Sequence, residues 1–135
     1  MTSVDPDDVI YLDVDDVIRE HDYQVGASGG APGVLSLHGL NSAVYQPQQG
    51  FGGQDAYPTL AEKAAVYLHG IAKAHAFQDG NKRTALAAAL AFLQANGYSV
   101  NATDQELQEL TEAVTKDSKS RDDAMRFFED HMQRV

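Results

Sequence analysis

His75-Ala76-Phe77-Gln78-Asp79-Gly80-Asn81-Lys82-Arg83-Thr84 runs without a break into Ala85-Leu86-Ala87-Ala88-Ala89-Leu90-Ala91-Phe92-Leu93, and the reading of this stretch decides the fold. Its first part sets an imidazole, a carboxylate, a Gly-Asn turn and two cations within the nine positions 75–83. Its second part is apolar on every face, a pattern that a helix sustains only when other elements surround it. That helix is therefore expected to be the most buried one, with the polar cluster held on a rigid support.

Working outward, Pro58-Thr59-Leu60-Ala61-Glu62 signals a helix start, with Thr59 as N-cap and Glu62 as its capping-box partner. The helix is expected to run to about Ala74, with Leu60, Ala64, Tyr67, Leu68 and Ile71 on one broad face. Gly70 within it points to close helix packing, and His69, with no motif around it, reads as a surface or core histidine. The central helix covers 82–96 and stops at Gly97. Residues 98–100 form a brief strand, with residues 9–12 as its expected partner. Thr103 or Asp104 caps the next helix, whose buried stripe is Leu107, Leu110, Ala113 and Val114. Ser120 caps a last amphipathic helix, with Ala124, Phe127, Phe128 and Met132 inward.

Upstream, Val9-Ile10-Tyr11-Leu12 is a run of strand formers without helical spacing. Asp13 follows as N-cap of a helix over roughly 14–23 that buries Val14, Val17 and Ile18, with Asp15 and Asp16 in its first turn. A competing start at Asp5, with Pro6 as first helical residue, fits the run 9–12 less well. Residues 26–33 read as loop, 37–45 as a short helix ending before Pro47, and 46–57 as a second glycine-rich loop. Eight of the 11 glycines lie between 26 and 53, so specially shaped loops precede the motif. They are either plain connections or a flap over a site. The expected fold class is all-α: one domain over 1–135, a helical bundle of about six helices with at most a minor two-strand pairing.

Composition narrows the function. A chain of 135 residues with 43% apolar and 22% charged residues is an ordinary single globular domain. The absence of cysteine excludes a disulfide framework, a thiolate nucleophile and a Cys-based metal site. Asp5, Asp7 and Asp8 stand where a signal peptide would carry basic residues, and no apolar run is long and chargeless enough to span a bilayer. No membrane association is expected, and a cytoplasmic location is. A formal net charge of −10 argues against nucleic acid as a direct partner. No Lys or Arg occurs between Glu20 and Glu62, so Lys82 and Arg83 form a local positive spot suited to one small polyanion, such as a nucleoside triphosphate.

The bend before the central helix leaves the backbone N–H groups of Gly80, Asn81, Lys82 and Arg83 without intrahelical partners. Those amides and the positive end of the helix dipole make an anion site. Gly80 admits a ligand close to the backbone, and Lys82 and Arg83 add full charges. Asp79 offers a hard oxygen to Mg²⁺ held between phosphate oxygens. His75 can accept a proton from a hydroxyl near neutral pH. Taken singly, each residue has a plain structural explanation: Asp-Gly-Asn is a common turn, and Lys82 and Arg83 could be a solvated pair. Together, in one run before a buried helix, they point to nucleotide-dependent group transfer.

The run resembles the signature of the Fic/Doc superfamily, His-x-Phe-x-(Asp/Glu)-(Gly/Ala)-Asn-(Gly/Lys)-Arg, and looks most like its death-on-curing branch of toxins. Tyr11-Leu12, Gly29-Gly30, Pro47-Gln48-Gln49, Phe51-Gly52-Gly53, Tyr57-Pro58 and the helix start 59–64 extend the likeness over nearly the whole chain. The resemblance implies His75 as general base, Phe77 as buried anchor of the loop, and Asp79 as the Mg²⁺- and phosphate-associated acid. It implies Gly80 and Asn81 as the anion hole, and Lys82 and Arg83 as triphosphate contacts. Lys82 replaces a second glycine, and Leu86 a second arginine, of the branch that transfers AMP. On that ground the resemblance implies a protein kinase that passes the γ-phosphate of ATP to a hydroxyl of elongation factor Tu and so arrests translation. An AMP transferase and a vestigial binding module are the alternatives. The self-inhibiting pattern (Ser/Thr)-x-x-x-Glu-(Gly/Asn) is missing, since Thr59-Leu60-Ala61-Glu62 has the wrong spacing. A cognate antitoxin with a helical C-terminal segment is the expected restraint.

Overall fold

A computed structural model describes residues 4–28 and 33–135. Six α-helices carry the structure: α1 (Val14–Ser28), α2 (Leu37–Tyr45), α3 (Leu60–Ala74), α4 (Asn81–Ala95), α5 (Asp104–Thr115) and α6 (Arg121–His131). Two small antiparallel pairings complete it: β1 (Gly50–Phe51) with β2 (Gln54–Asp55), and β3 (Tyr98–Val100) with β4 (Met132–Arg134). The expected helical bundle is what forms.

The central rod is α3 rather than α4. Ten of the fifteen residues of α3 are buried, against six of fifteen in α4. The reason is position: α3 packs against α2, α4, α5 and α6, whereas Leu86, Ala87, Leu90 and Ala91 of α4 keep partial exposure. Thr59 caps α3, its hydroxyl oxygen accepting from the Glu62 N–H at 3.1 Å. The return half of a capping box is altered, because the Thr59 hydroxyl itself donates to the Glu62 carboxylate. Full reciprocal boxes close α5 at Thr103 with Glu106 and α6 at Ser120 with Asp123. Asp13 and Asp16 make the same exchange at α1.

Three expectations are corrected. The strand at 98–100 pairs with 132–134, not with 9–12. The earlier segment has its backbone groups taken by side chains: Asn96 bonds both the N–H and the carbonyl of Ile10, and the Tyr67 hydroxyl accepts from the Leu12 N–H. Met132 accordingly leaves α6 and opens β4. Helix α1 runs on to Ser28, because the apolar stripe continues to Val25, which is buried. Only a 3₁₀ turn, Pro6–Asp8, forms at the competing start. Residues 26–28, expected in a loop, thus belong to α1, and the rest of that expected loop at 29–32 lies outside the described residues. Among the described residues no helix is long and apolar enough to cross a membrane.

The loop over 46–57 is ordered into a 3₁₀ turn, Gln46–Gln48, and the β1–β2 hairpin, with Gly52 and Gly53 at positive φ in its tip. Lys63 anchors this hairpin from within α3. Its side chain is 0% exposed, and its ammonium donates to the Asp55 carboxylate, itself 8% exposed, and to the Tyr57 carbonyl.

His69, partly exposed on α3, has its pKa held below the ordinary 6.5, first by burial and then by the nearby cations Arg121 and Lys73. The unfolded chain therefore binds more protons at this residue below 6.5. Its contribution to stability is whole above that value and is lost as pH falls toward the depressed folded value. Urea midpoints at about pH 7.5 and about pH 5.5 are expected to differ less in His69→Gln than in the parent protein.

Candidate active site

The geometry of the bend begins with two residues in the left-handed region. His75 caps the C-terminus of α3 at φ 47°, and Gly80 caps the N-terminus of α4 at φ 77°. Between them 76–79 turn the chain from one helix into the other. His75 is exposed at this corner, available to a substrate, while Ala76 and Phe77 are buried beneath it. The segment at 34–36 lies alongside: Leu35 and Ser36 donate N–H groups to the Ala76 carbonyl at 2.7 and 3.2 Å, and Val34 bridges Phe77.

Asn81 closes the bend from within. Its carboxamide accepts from the Phe77 N–H at 3.0 Å and donates to the Phe77 carbonyl at 2.8 Å. The side chain is thus a structural brace, and only the backbone N–H of Asn81 is offered to a ligand. Asn81→Ala removes both bonds in a partly buried place. It is expected to lower stability by about 1–3 kcal/mol, measured by urea unfolding.

At Gly80 it is the left-handed backbone, φ 77°, rather than crowding that calls for glycine. A Cβ there would meet Val25 Cγ2 at 3.5 Å, His21 Cδ2 at 3.6 Å and Arg83 Nη2 at 3.7 Å. The Arg83 guanidinium therefore lies over the glycine at the head of α4. Thr84 makes the first bond of the helix, to the Gly80 carbonyl at 2.9 Å, so the amides of 81–83 point out of the helix end without intrahelical acceptors. Among the described residues Arg83 has no carboxylate partner. Lys82 does: its ammonium reaches Glu112 on α5 at 2.6 Å, with both side chains about half exposed. This contact, and Lys116 secondarily, holds the Glu112 carboxyl below its usual pKa. A cleft of about 270 Å³ lined by Lys82, Arg83, Leu86, Gln108, Thr111 and Glu112 opens beside that pair, between α4 and α5.

Asp79 is exposed and sits immediately before Gly80. No group of three or more potential metal-ligating side chains occurs among the described residues. A single exposed carboxylate beside a helix start with unpaired amides is a donor set that fits Mg²⁺, an ion that keeps several waters and takes its other ligands from a bound anion.

All six motif residues that the sequence singles out (His75, Asp79, Gly80, Asn81, Lys82 and Arg83) fall on this one corner. His21 is the residue that the sequence reading missed. It comes from α1, is 1% exposed, stacks on Phe77 with ring centroids 3.8 Å apart, and bonds the Asp79 carbonyl. The signal was present: His21 continues the stripe Val14, Val17, Ile18 at helical spacing, which places an imidazole on a buried face.

Known proteins resemble this chain over most of its length. The model of the Fic/DOC family matches residues 11–93. Toxin Doc of Mycolicibacterium smegmatis is 42% identical over 110 residues, covering 79% of this chain and 82% of that protein. Protein kinase doc of Escherichia phage P1 is 37% identical over 90 residues, covering 67% of this chain and 71% of that protein.

Proposed function

The chain belongs to the Fic/DOC family, and on that premise we propose that it is a Doc-type toxin that transfers the γ-phosphate of ATP to a protein hydroxyl. The observation that carries the reading is the corner itself. An exposed imidazole at the end of α3 stands one short turn from an amide-lined helix start, over which lies a guanidinium without a carboxylate partner among the described residues.

The roles follow from charge and position. His75 accepts the proton as the target hydroxyl oxygen bonds to the γ-phosphorus; the bond from that phosphorus to the β–γ bridging oxygen breaks, and ADP leaves with the electron pair. The N–H groups of Gly80, Asn81, Lys82 and Arg83 and the Arg83 guanidinium hold the phosphate oxygens in place and stabilise their charge. Lys82 joins them on leaving Glu112. Asp79 would hold Mg²⁺, which screens charge on the phosphate oxygens when bound. Most of the rate enhancement would come from positioning and charge stabilisation, because phosphoryl transfer asks for little covalent chemistry from the protein.

Elongation factor Tu is the substrate proposed, with arrest of translation as the consequence. A cognate antitoxin whose C-terminal segment folds as an amphipathic helix is the proposed restraint, since the chain lacks the self-inhibiting pattern. The names Toxin Doc and Protein kinase doc of the two relatives support the toxin and kinase parts of this reading. The test is a paired-label transfer assay on purified elongation factor Tu. Label from the γ-phosphate of ATP is expected on the factor, and label from the α-phosphate is not. Transfer of the α-label would replace phosphorylation with AMP transfer, the reading that Lys82 and Leu86 oppose.

A further inference from the structure

We propose that His21 is a positioning residue that fixes the phosphate-binding bend from outside, through one hydrogen bond to its backbone. The proposal rests on reading that bend as a phosphate site.

His21 belongs to α1, far in sequence from the motif, yet it meets the motif at three points. Its Nε2 lies 2.7 Å from the Asp79 carbonyl oxygen. A carbonyl only accepts, so Nε2 carries the proton and donates. Its ring stacks on Phe77 at 3.8 Å with an interplanar angle of 8°. Its Cδ2 stands 3.6 Å from the place of a Cβ on Gly80. The only carboxylate beside the ring among the described residues is Asp22, 3.8 Å from Nδ1 and mostly exposed.

The Asp79–Gly80 peptide is the one that His21 grips, and its orientation matters. The Asp79 carbonyl and the Gly80 N–H belong to the same plane and point in opposite directions. Holding the carbonyl toward α1 therefore turns the Gly80 N–H away from that helix. Asn81 fixes Phe77 from the other end of the same short segment. Without the His21 bond the Asp79 carbonyl loses this donor, and Gly80, which has access to alternative φ values, is where the peptide can turn.

Core packing alone would also account for a buried, stacked histidine, and three substitutions separate the two roles. His21→Phe keeps the ring and its stack but loses the donor. His21→Gln places an amide nitrogen near the Nε2 position, and His21→Asn places it near Nδ1, out of reach of the carbonyl. Two readouts are taken: amide hydrogen exchange at Phe77 and Thr84, whose N–H groups are bonded within the bend, and the affinity of the purified protein for Mg·ATP. In His21→Phe both amides are expected to exchange about tenfold faster, and Mg·ATP affinity to fall about tenfold, while amides of Leu68 and Ile71 in α3 keep their rates. His21→Gln is expected to restore both readouts relative to His21→Asn. If His21→Phe does not fold, the Gln–Asn difference decides. Parent-like exchange and affinity in His21→Phe, or equal values for Gln and Asn, overturn the proposal. Failure of the parent protein to bind Mg·ATP would refute the phosphate-site reading instead, and the exchange data would still decide whether His21 holds the bend.

Discussion

His75→Ala is expected to cut phosphate transfer by about a hundred- to ten-thousand-fold, the usual contribution of a positioned general base. The fold is expected to survive, because the imidazole is exposed and makes no side-chain bond to α3 or α4 among the described residues. The backbone at this position has φ 47°, a conformation that asparagine tolerates better than most residues. His75→Asn therefore serves as a second variant, with the corner kept and the base removed. Both are expected to retain the parent's circular dichroism and Mg·ATP affinity while losing transfer to elongation factor Tu. Undiminished toxicity in cells for either variant would make proton abstraction by His75 irrelevant and leave binding alone as the activity.

The second large effect concerns stability. Lys63→Met removes the cation from a buried pair and leaves the Asp55 carboxylate with no compensating charge in a nearly dry place. The expected loss is about 3–5 kcal/mol, measured by urea unfolding. Lys63→Met with Asp55→Leu replaces both charges by apolar groups and is expected to recover most of it. The Tyr57 carbonyl loses its donor in either case, and this sets the residual deficit. The hairpin 50–55 is expected to detach in the single variant, giving faster amide exchange at Ala56, whose N–H bonds the Gln49 carbonyl across the base of that loop.

The helices were legible because local chemistry and tertiary packing agree in them. Thr59, Thr103 and Ser120 announce their helices through caps that form as the sequence implies. The motif corner was legible for a related reason: all its polar residues are contiguous, so a single turn brings them together. What stayed hidden depends on contacts between distant segments. The partner of Tyr98–Val100 is chosen by where the end of α6 returns, and nothing local in 132–134 says so. The run 9–12 has the composition of a strand, yet Asn96 and Tyr67 satisfy its backbone, and side-chain partners of that kind leave no periodic trace. His21 and Lys63 share one lesson: each is a polar residue on an apolar helical stripe, and each turned out to hold a loop. Lys82 teaches the reverse, since an adjacent cation in the motif is engaged by Glu112, thirty positions away.

One rod carries both the hairpin anchor and the imidazole. Lys63, near the start of α3, grips the hairpin, and His75 ends the same helix. Twelve residues of α-helix set those two points about 18 Å apart, and a buried helix does not stretch. The separation between hairpin and imidazole is therefore a fixed gauge, which the protein cannot adjust by breathing. A pull on the hairpin therefore has no lever on His75.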